Sequence, residues 1–166
     1  DGTLIIYREL YRKGLLGTEL AEMITDMEMQ DPFSVQGVLD TACWSRTGTT
    51  GPTIGETLQR AGHKLRRADK NRIQGKIQIH EYLKVMQSGR PRIQLFNTCP
   101  NLIRELQSIP LDKRNPEDVD THAPDHAYDA LRYLIMSRPR INDTLSQMRQ
   151  FQRERVYAPV DSTFGY

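Results

Sequence analysis

The sequence predicts an α/β domain built on parallel strand pairs, and three observations carry that expectation. Short apolar runs alternate with stretches of helical periodicity along most of the chain. Proline or glycine closes several of the helical stretches, at Asp31-Pro32, Gly62, Gly89 and Pro110. The 166 residues, 37% hydrophobic and 27% charged, suffice for one domain with its own core.

Asp1-Gly2 is a hairpin-turn dipeptide, and Leu4-Ile5-Ile6-Tyr7 reads as a buried strand ending near Glu9. A hairpin needs an earlier arm, so the expectation is a fragment whose first strand or strands lie upstream. Thr18 to about Met29 is a helix with Thr18 as cap and Leu20, Met23, Ile24 and Met27 on one face. Val35 to Leu39 is a strand that ends at Asp40. Thr41 to Pro52, rich in Thr, Gly and Ser, is a loop containing Trp44 and Arg46.

Thr53 to Ala61 is a short helix, and His63 to Ala68 a strand carrying Lys64, Arg66 and Arg67. Asn71 to Gln87 is a longer helix with Ile73, Ile77, Ile79, Leu83 and Met86 on its apolar face. Arg92 to Phe96 is the next strand, Asn101 to Ile109 a helix, and Asp112 to Pro124 a loop. Pro124 introduces the helix from Asp125 to Met136, with Ala127, Ala130, Leu131, Leu134 and Ile135 on one face. Residues 1–140 thus form one domain. Ile141 to Val156 reads as a mostly polar helix, and Tyr157 to Tyr166 as an aperiodic tail, so 141–166 stand apart.

The formal charge of +2 confines any nucleic-acid surface to a local patch. Cys43 and Cys99 are too few and too far apart for a disulfide framework or a metal knuckle. No apolar run reaches membrane-spanning length, so no membrane partner is expected.

Asp125 and Asp129 are four residues apart, hence neighbours on one helix face with His126 beside them. One reading makes Asp125 the helix N-cap and Asp129 a surface partner of Arg132. The other makes both acids cation ligands. The second gains weight from Asp40, since functional groups in open α/β sheets collect at the carboxyl ends of parallel strands. Asp40, Asp125 and Asp129 together would suit a hard divalent ion that keeps part of its water. Lys64, Arg66, Arg67, Lys70, Arg72 and Lys76 form the densest basic segment, suited to phosphates. Arg138, Arg140, Arg149, Arg153 and Arg155 form a second set.

The stretch Asp125 to Tyr133 (DHAYDALRY), with Lys113 to His122 before it, resembles the end of the nuclease domain of tailed-bacteriophage terminase large subunits. Tyr7-Arg8-Glu9, Leu39-Asp40, Ala68 to Arg72 and Phe96 to Ile103 add to the likeness in the same order, and it covers most of residues 1–138. The resemblance implies a ribonuclease H-like fold, a mixed sheet flanked by helices. In that fold a three-stranded antiparallel meander precedes the parallel strands. It implies a metal-dependent endonuclease that cuts concatemeric viral DNA during genome packaging, with Mg²⁺ or Mn²⁺ as cofactor. Two such ions about 3.5–4 Å apart hydrolyse phosphodiesters.

Asp40 matches the family's second acid. The third falls within Asp125-His126-xx-Asp129, with Asp129 favoured, Asp125 next, and His126 as a supporting ligand. The family's first acid would precede Asp1, so the fragment is expected to be incomplete as a catalyst, and Glu9 lies in the wrong place to replace it. Arg67, Lys70, Arg72, Lys76 and Arg46 are the residues expected to meet double-stranded DNA. The likeness further implies the terminase small subunit and the portal protein as partners, and the host bacterial cytoplasm as location. No G-x-x-x-x-G-K-[ST] sequence occurs, so the motor's ATPase is expected on upstream sequence of the same polypeptide. The alternatives are a non-catalytic portal- or DNA-docking module and a junction resolvase of the same fold.

Overall fold

Short strands and helices alternate in the order the sequence pattern requires, in a computed structural model that describes residues 2–46 and 51–138. The expected helix at 141–156, the tail from Tyr157, and Arg140, Arg149, Arg153 and Arg155 lie outside the described residues.

Strand β1 (Leu4–Ile6) pairs in parallel with β4 (Ile93–Leu95), Leu4 opposite Ile93. Strand β2 (Gly37–Leu39) pairs in parallel with β3 (Leu65–Arg67), Gly37 opposite Leu65. The chain is therefore α/β with parallel strand pairs, but among the described residues the pairs form two separate two-stranded sheets. Each strand is three residues long.

Helix α1 (Gly17–Glu28) starts one residue before the expected cap. The Leu16 N–H donates to Glu19 Oε2 at 2.7 Å, so Glu19 and not Thr18 satisfies the first turn. Helix α2 (Ile54–Arg60) opens with a reciprocal capping box. Thr53 Oγ1 accepts from the Glu56 N–H at 3.1 Å, and the Thr53 N–H donates to Glu56 Oε2 at 2.9 Å. Gly62 leaves this helix at φ +101, a left-handed conformation that favours glycine.

Helix α3 (Arg72–Leu83) corrects the expected apolar face. Ile79 is buried, but Ile73, Ile77 and Leu83, and Met86 beyond the helix, are exposed. The buried stripe is Gly75, Ile79 and Tyr82, spaced for one helical face and turned towards helix α5 (His126–Met136). A Cβ at position 75 would stand 2.4 Å from Cγ of Arg132, so glycine is what lets that side chain run between the two helices. The chain leaves α3 at Lys84 rather than Gln87, because Val85 pairs antiparallel with Pro91 in a tight return.

The main core lies between β1, β4 and helices α3, α4 (Pro100–Ser108) and α5. It contains Leu4, Ile79, Tyr82, Ile93, Cys99, Leu102, Val119, Tyr128, Leu131 and Ile135. On α5 the expected Leu131 and Ile135 are buried, Ala127 and Leu134 half-buried, and Ala130 exposed. Tyr128 and Arg132 are buried in addition, because α5 packs against both α3 and α4.

Two carboxylates from elsewhere in the chain cap the last two helices. Glu9 accepts from the N–H groups of Asn101 and Leu102 at 2.9 and 3.0 Å, and so closes the start of α4. Glu105 on α4, 1% exposed, accepts from the N–H groups of Ala127 and Tyr128 at 2.7 and 2.9 Å and closes the start of α5. Its other oxygen accepts from the Tyr11 hydroxyl at 3.1 Å. Asp125 stands at the N-cap position of α5, but its side chain accepts no capping bond. The capping reading of Asp125 is thereby corrected: Glu105 holds the amides an N-cap carboxylate would take.

Glu105→Ala strips two helix amides and a tyrosine hydroxyl of their acceptor. It is expected to cost about 2–3 kcal/mol in urea unfolding. Asp125→Ala, which removes no capping bond, is expected to cost less than about 0.5 kcal/mol in the same measurement. Equal losses would return the cap to Asp125.

Candidate active site

Asp40 directly follows β2 and caps a single turn of 3₁₀ helix, Thr41–Trp44, by accepting from the Ala42 N–H at 2.8 Å on Oδ1. The same oxygen is 3.3 Å from the Lys70 ammonium. Oδ2 accepts from the Tyr133 hydroxyl at 2.6 Å. Tyr133 follows Asp129 by four residues on α5, so the two share a helix face one turn, about 5.4 Å, apart. The strand end that carries Asp40 is thus docked on the helix that carries Asp125 and Asp129.

Around those two acids the charges alternate. Asp129 Oδ1 accepts from Nε and Nη2 of Arg132, each at 3.0 Å, and Oδ2 faces Arg72 Nη1 at 3.5 Å. Asp125 Oδ2 faces Arg72 Nη2 at 4.0 Å, and its Oδ1 lies 3.7 Å from Nδ1 of the exposed His126. Arg72 is anchored by its Nε on Asp118 Oδ2 at 2.8 Å. Arg132 is 2% exposed, so its pairing with Asp129 lies within α5 on the side packed against α3 and is largely buried, rather than the surface pair its spacing suggests.

Burial pushes the Asp40 carboxyl up, but the bonds from Tyr133, Ala42 and Lys70 outweigh it and hold the group below the usual carboxylate range. Asp125 goes the other way: burial, then the charge of Asp129, raise it. Burial and the bond to Asp40 push the Tyr133 hydroxyl up to about 12, which keeps it a donor at neutral pH.

Hard oxygen donors on Asp40, Asp125 and Asp129 suit Mg²⁺ or Mn²⁺ chemically. Among the described residues, however, no group of three or more His, Cys, Asp or Glu stands together as a ready cation site. Lys70, Arg72 and Arg132 interleave the acids instead, and Glu9, engaged at the start of α4, is remote from them in its bonding.

The residues expected to meet DNA divide into two groups. Lys70 is exposed beside Asp40, the exposed Arg46 faces Glu56 of α2 at 3.9 Å, and the exposed Arg67 lays its guanidinium 5.3 Å above the Trp44 ring. Trp44 itself is packed on α2, where a Cβ at Gly55 would meet the ring at 2.6 Å. Arg72 and Lys76 turn inward and fasten the loop before α5. Lys76 Nζ donates to the Pro116 carbonyl at 3.0 Å, and Arg72 holds Asp118. Sequence reading did not single out Tyr133 or Asp118. The four-residue step from Asp129 to Tyr133 was visible, but a hydroxyl's partner across 93 residues was not.

Among the described residues no helix is long and apolar enough to cross a membrane. Comparison with protein-family models, with curated proteins and with solved structures yields no match.

Because its folded value lies below the unfolded one, Asp40 contributes stability that is complete above about pH 4 and is lost as pH falls through the folded value. Tyr133→Phe removes the 2.6 Å bond. The Asp40 carboxyl, followed by NMR titration, is then expected to move up towards its ordinary value, and the part of the acid-side loss of stability that Asp40 causes to shrink.

Proposed function

We propose that this chain is the nuclease domain of a terminase large subunit of the tailed-bacteriophage kind, a metal-dependent endonuclease that cuts concatemeric viral DNA. The observation that carries the reading is the 2.6 Å hydrogen bond from Tyr133 to Asp40. It brings the acid at the end of a parallel strand onto the helix whose sequence, DHAYDALRY, carries the resemblance.

Asp40 and Asp129, with Asp125 beside them and His126 at the rim, would hold Mg²⁺ or Mn²⁺, which supplies an activated water and stabilises the departing oxygen of a phosphodiester. This chain's own residues do the rest. Tyr133, Ala42 and Lys70 hold the Asp40 carboxylate in one orientation. Lys70 offers exposed positive charge beside Asp40 for DNA phosphates, and Arg46 and Arg67 are further exposed cations.

A ribonuclease H-like sheet is supported by the gap between the two strand pairs. A cavity of about 480 Å³ is bounded by Ile5 and Ile6 of β1, by Phe33 and Val35 before β2, by Ile24 and Met27 of α1, and by Leu134. β1 and β2 each have one strand partner among the described residues, so further strands between them would join the pairs into one sheet. The small subunit, the portal protein and an ATPase on the same polypeptide belong to the same proposal.

A second reading, a non-catalytic docking module for portal or DNA, is favoured by the contacts of Asp129 with Arg72 and Arg132. Plasmid cleavage by the intact polypeptide with Mg²⁺ or Mn²⁺ separates the two. Asp40→Ala and Asp129→Ala are each expected to abolish cleavage while circular dichroism stays unchanged. Cleavage by both variants at the parental rate would remove the nuclease reading, and DNA or portal binding without cleavage by the parent would favour the docking module.

A further inference from the structure

Helix α5 carries an apolar surface that the core covers only in part. Ala127, Ala130, Leu131 and Leu134 share one helix face, roughly half a turn round from Asp125 and Asp129. Ala127 and Leu134 are half-buried and Ala130 is exposed, because the face borders an open cavity of about 410 Å³. Ile6 and Leu102 complete its aliphatic floor. That volume falls in the range of ligand pockets.

The facing wall is the stretch from Arg8 to Lys13, which belongs to no helix or strand. All of its residues border the cavity, so the main chain itself forms this wall. Among the described residues, the backbone N–H and C=O groups of that stretch make no hydrogen bond. Two of its side chains are already engaged. Glu9 closes the start of α4, and Arg8 is held by Asp31 and Gln30. Arg12 and Lys13 are exposed, and among the described residues neither has a partner. The unpaired charge on the rim is therefore positive.

We propose that this groove binds an extended, acidic segment of a partner protein, with apolar side chains on the α5 floor and carboxylates on Arg12 and Lys13. Three features select that occupant. Unpaired main-chain donors and acceptors along one wall are complementary to another main chain. The aliphatic floor suits leucine- or valine-sized side chains rather than stacked nucleic-acid bases. The two unpaired cations attract carboxylates and repel basic segments. The groove lies on the face of α5 turned away from Asp125 and Asp129, so it stands whether or not those acids serve a nuclease.

The test is fluorescence anisotropy of a short fluorescein-labelled peptide of alternating leucine and glutamate, titrated with the full chain. Saturable binding is expected, and the alternating leucine–lysine counterpart is expected to bind at least about tenfold more weakly. Ala130→Leu fills the groove from an exposed helix position, and Arg12→Glu with Lys13→Glu reverses the rim. Each change is expected to weaken the acidic peptide about tenfold while circular dichroism stays unchanged. The rim variant leaves the core untouched, so it decides the matter if Ala130→Leu fails to fold. No binding by the parent, equal binding of the two peptides, or undiminished binding by a folded variant overturns the proposal. A DNA duplex is expected not to displace the peptide; displacement would mark the rim as a phosphate surface and overturn the assignment.

Discussion

The buried carboxylate of Glu105 ties together three parts of the chain. It lies on α4, accepts two amides from the first turn of α5, and takes the Tyr11 hydroxyl on its remaining oxygen. A carboxylate 1% exposed is tolerable only where donors replace its water, and the unpaired amides of a helix start together with a hydroxyl are such donors. Glu9 repeats the device one helix earlier, on the amides of Asn101 and Leu102. The segment after β1 thus orients α4, and α4 orients α5. The direction of α5 then decides where Asp125, Asp129 and Tyr133 point.

Because Glu105 takes the capping work, Asp125 is left without a structural bond and faces the cluster. Its raised carboxyl, caused by burial and by the charge of Asp129, is the cost of that placement. Asp40 is the opposite case, held down by Tyr133, Ala42 and Lys70 against the effect of burial. Two aspartates, one at the start of α5 and one bonded to Tyr133 eight residues further along it, are therefore driven apart in proton affinity by their neighbours. That separation accompanies sites where one carboxylate stays ionised while another responds to what binds beside it.

Close packing of α3 on α5 decides the remaining electrostatics. Gly75 opens the room through which the Arg132 stem passes, and the Arg132 head then reaches Asp129 from the buried side. Arg72 comes from the start of the same helix and meets the acids from the other side. The basic segment that reads as one continuous patch is consequently split. Arg67 over Trp44, Lys70 beside Asp40 and Arg46 of the earlier loop remain at the surface, and Arg72 and Lys76 are engaged by the loop before α5. A linear run of charge carries no information on which heads a neighbouring loop will claim.

The α/β class, the order of elements and the strand that leads into Asp40 were determined by the sequence alone, since each follows from periodicity or from contacts within a few residues. The buried face of α3 was not. Of the isoleucines at 73, 77 and 79 only Ile79 is buried, and packing against α5 selects it together with Gly75 and Tyr82. The cap of α5 and the bond between Tyr133 and Asp40 were likewise decided by tertiary structure, because their partners lie 22 to 93 residues apart. Local spacing states what a residue can do; which partner reaches it first is settled only when the helices meet.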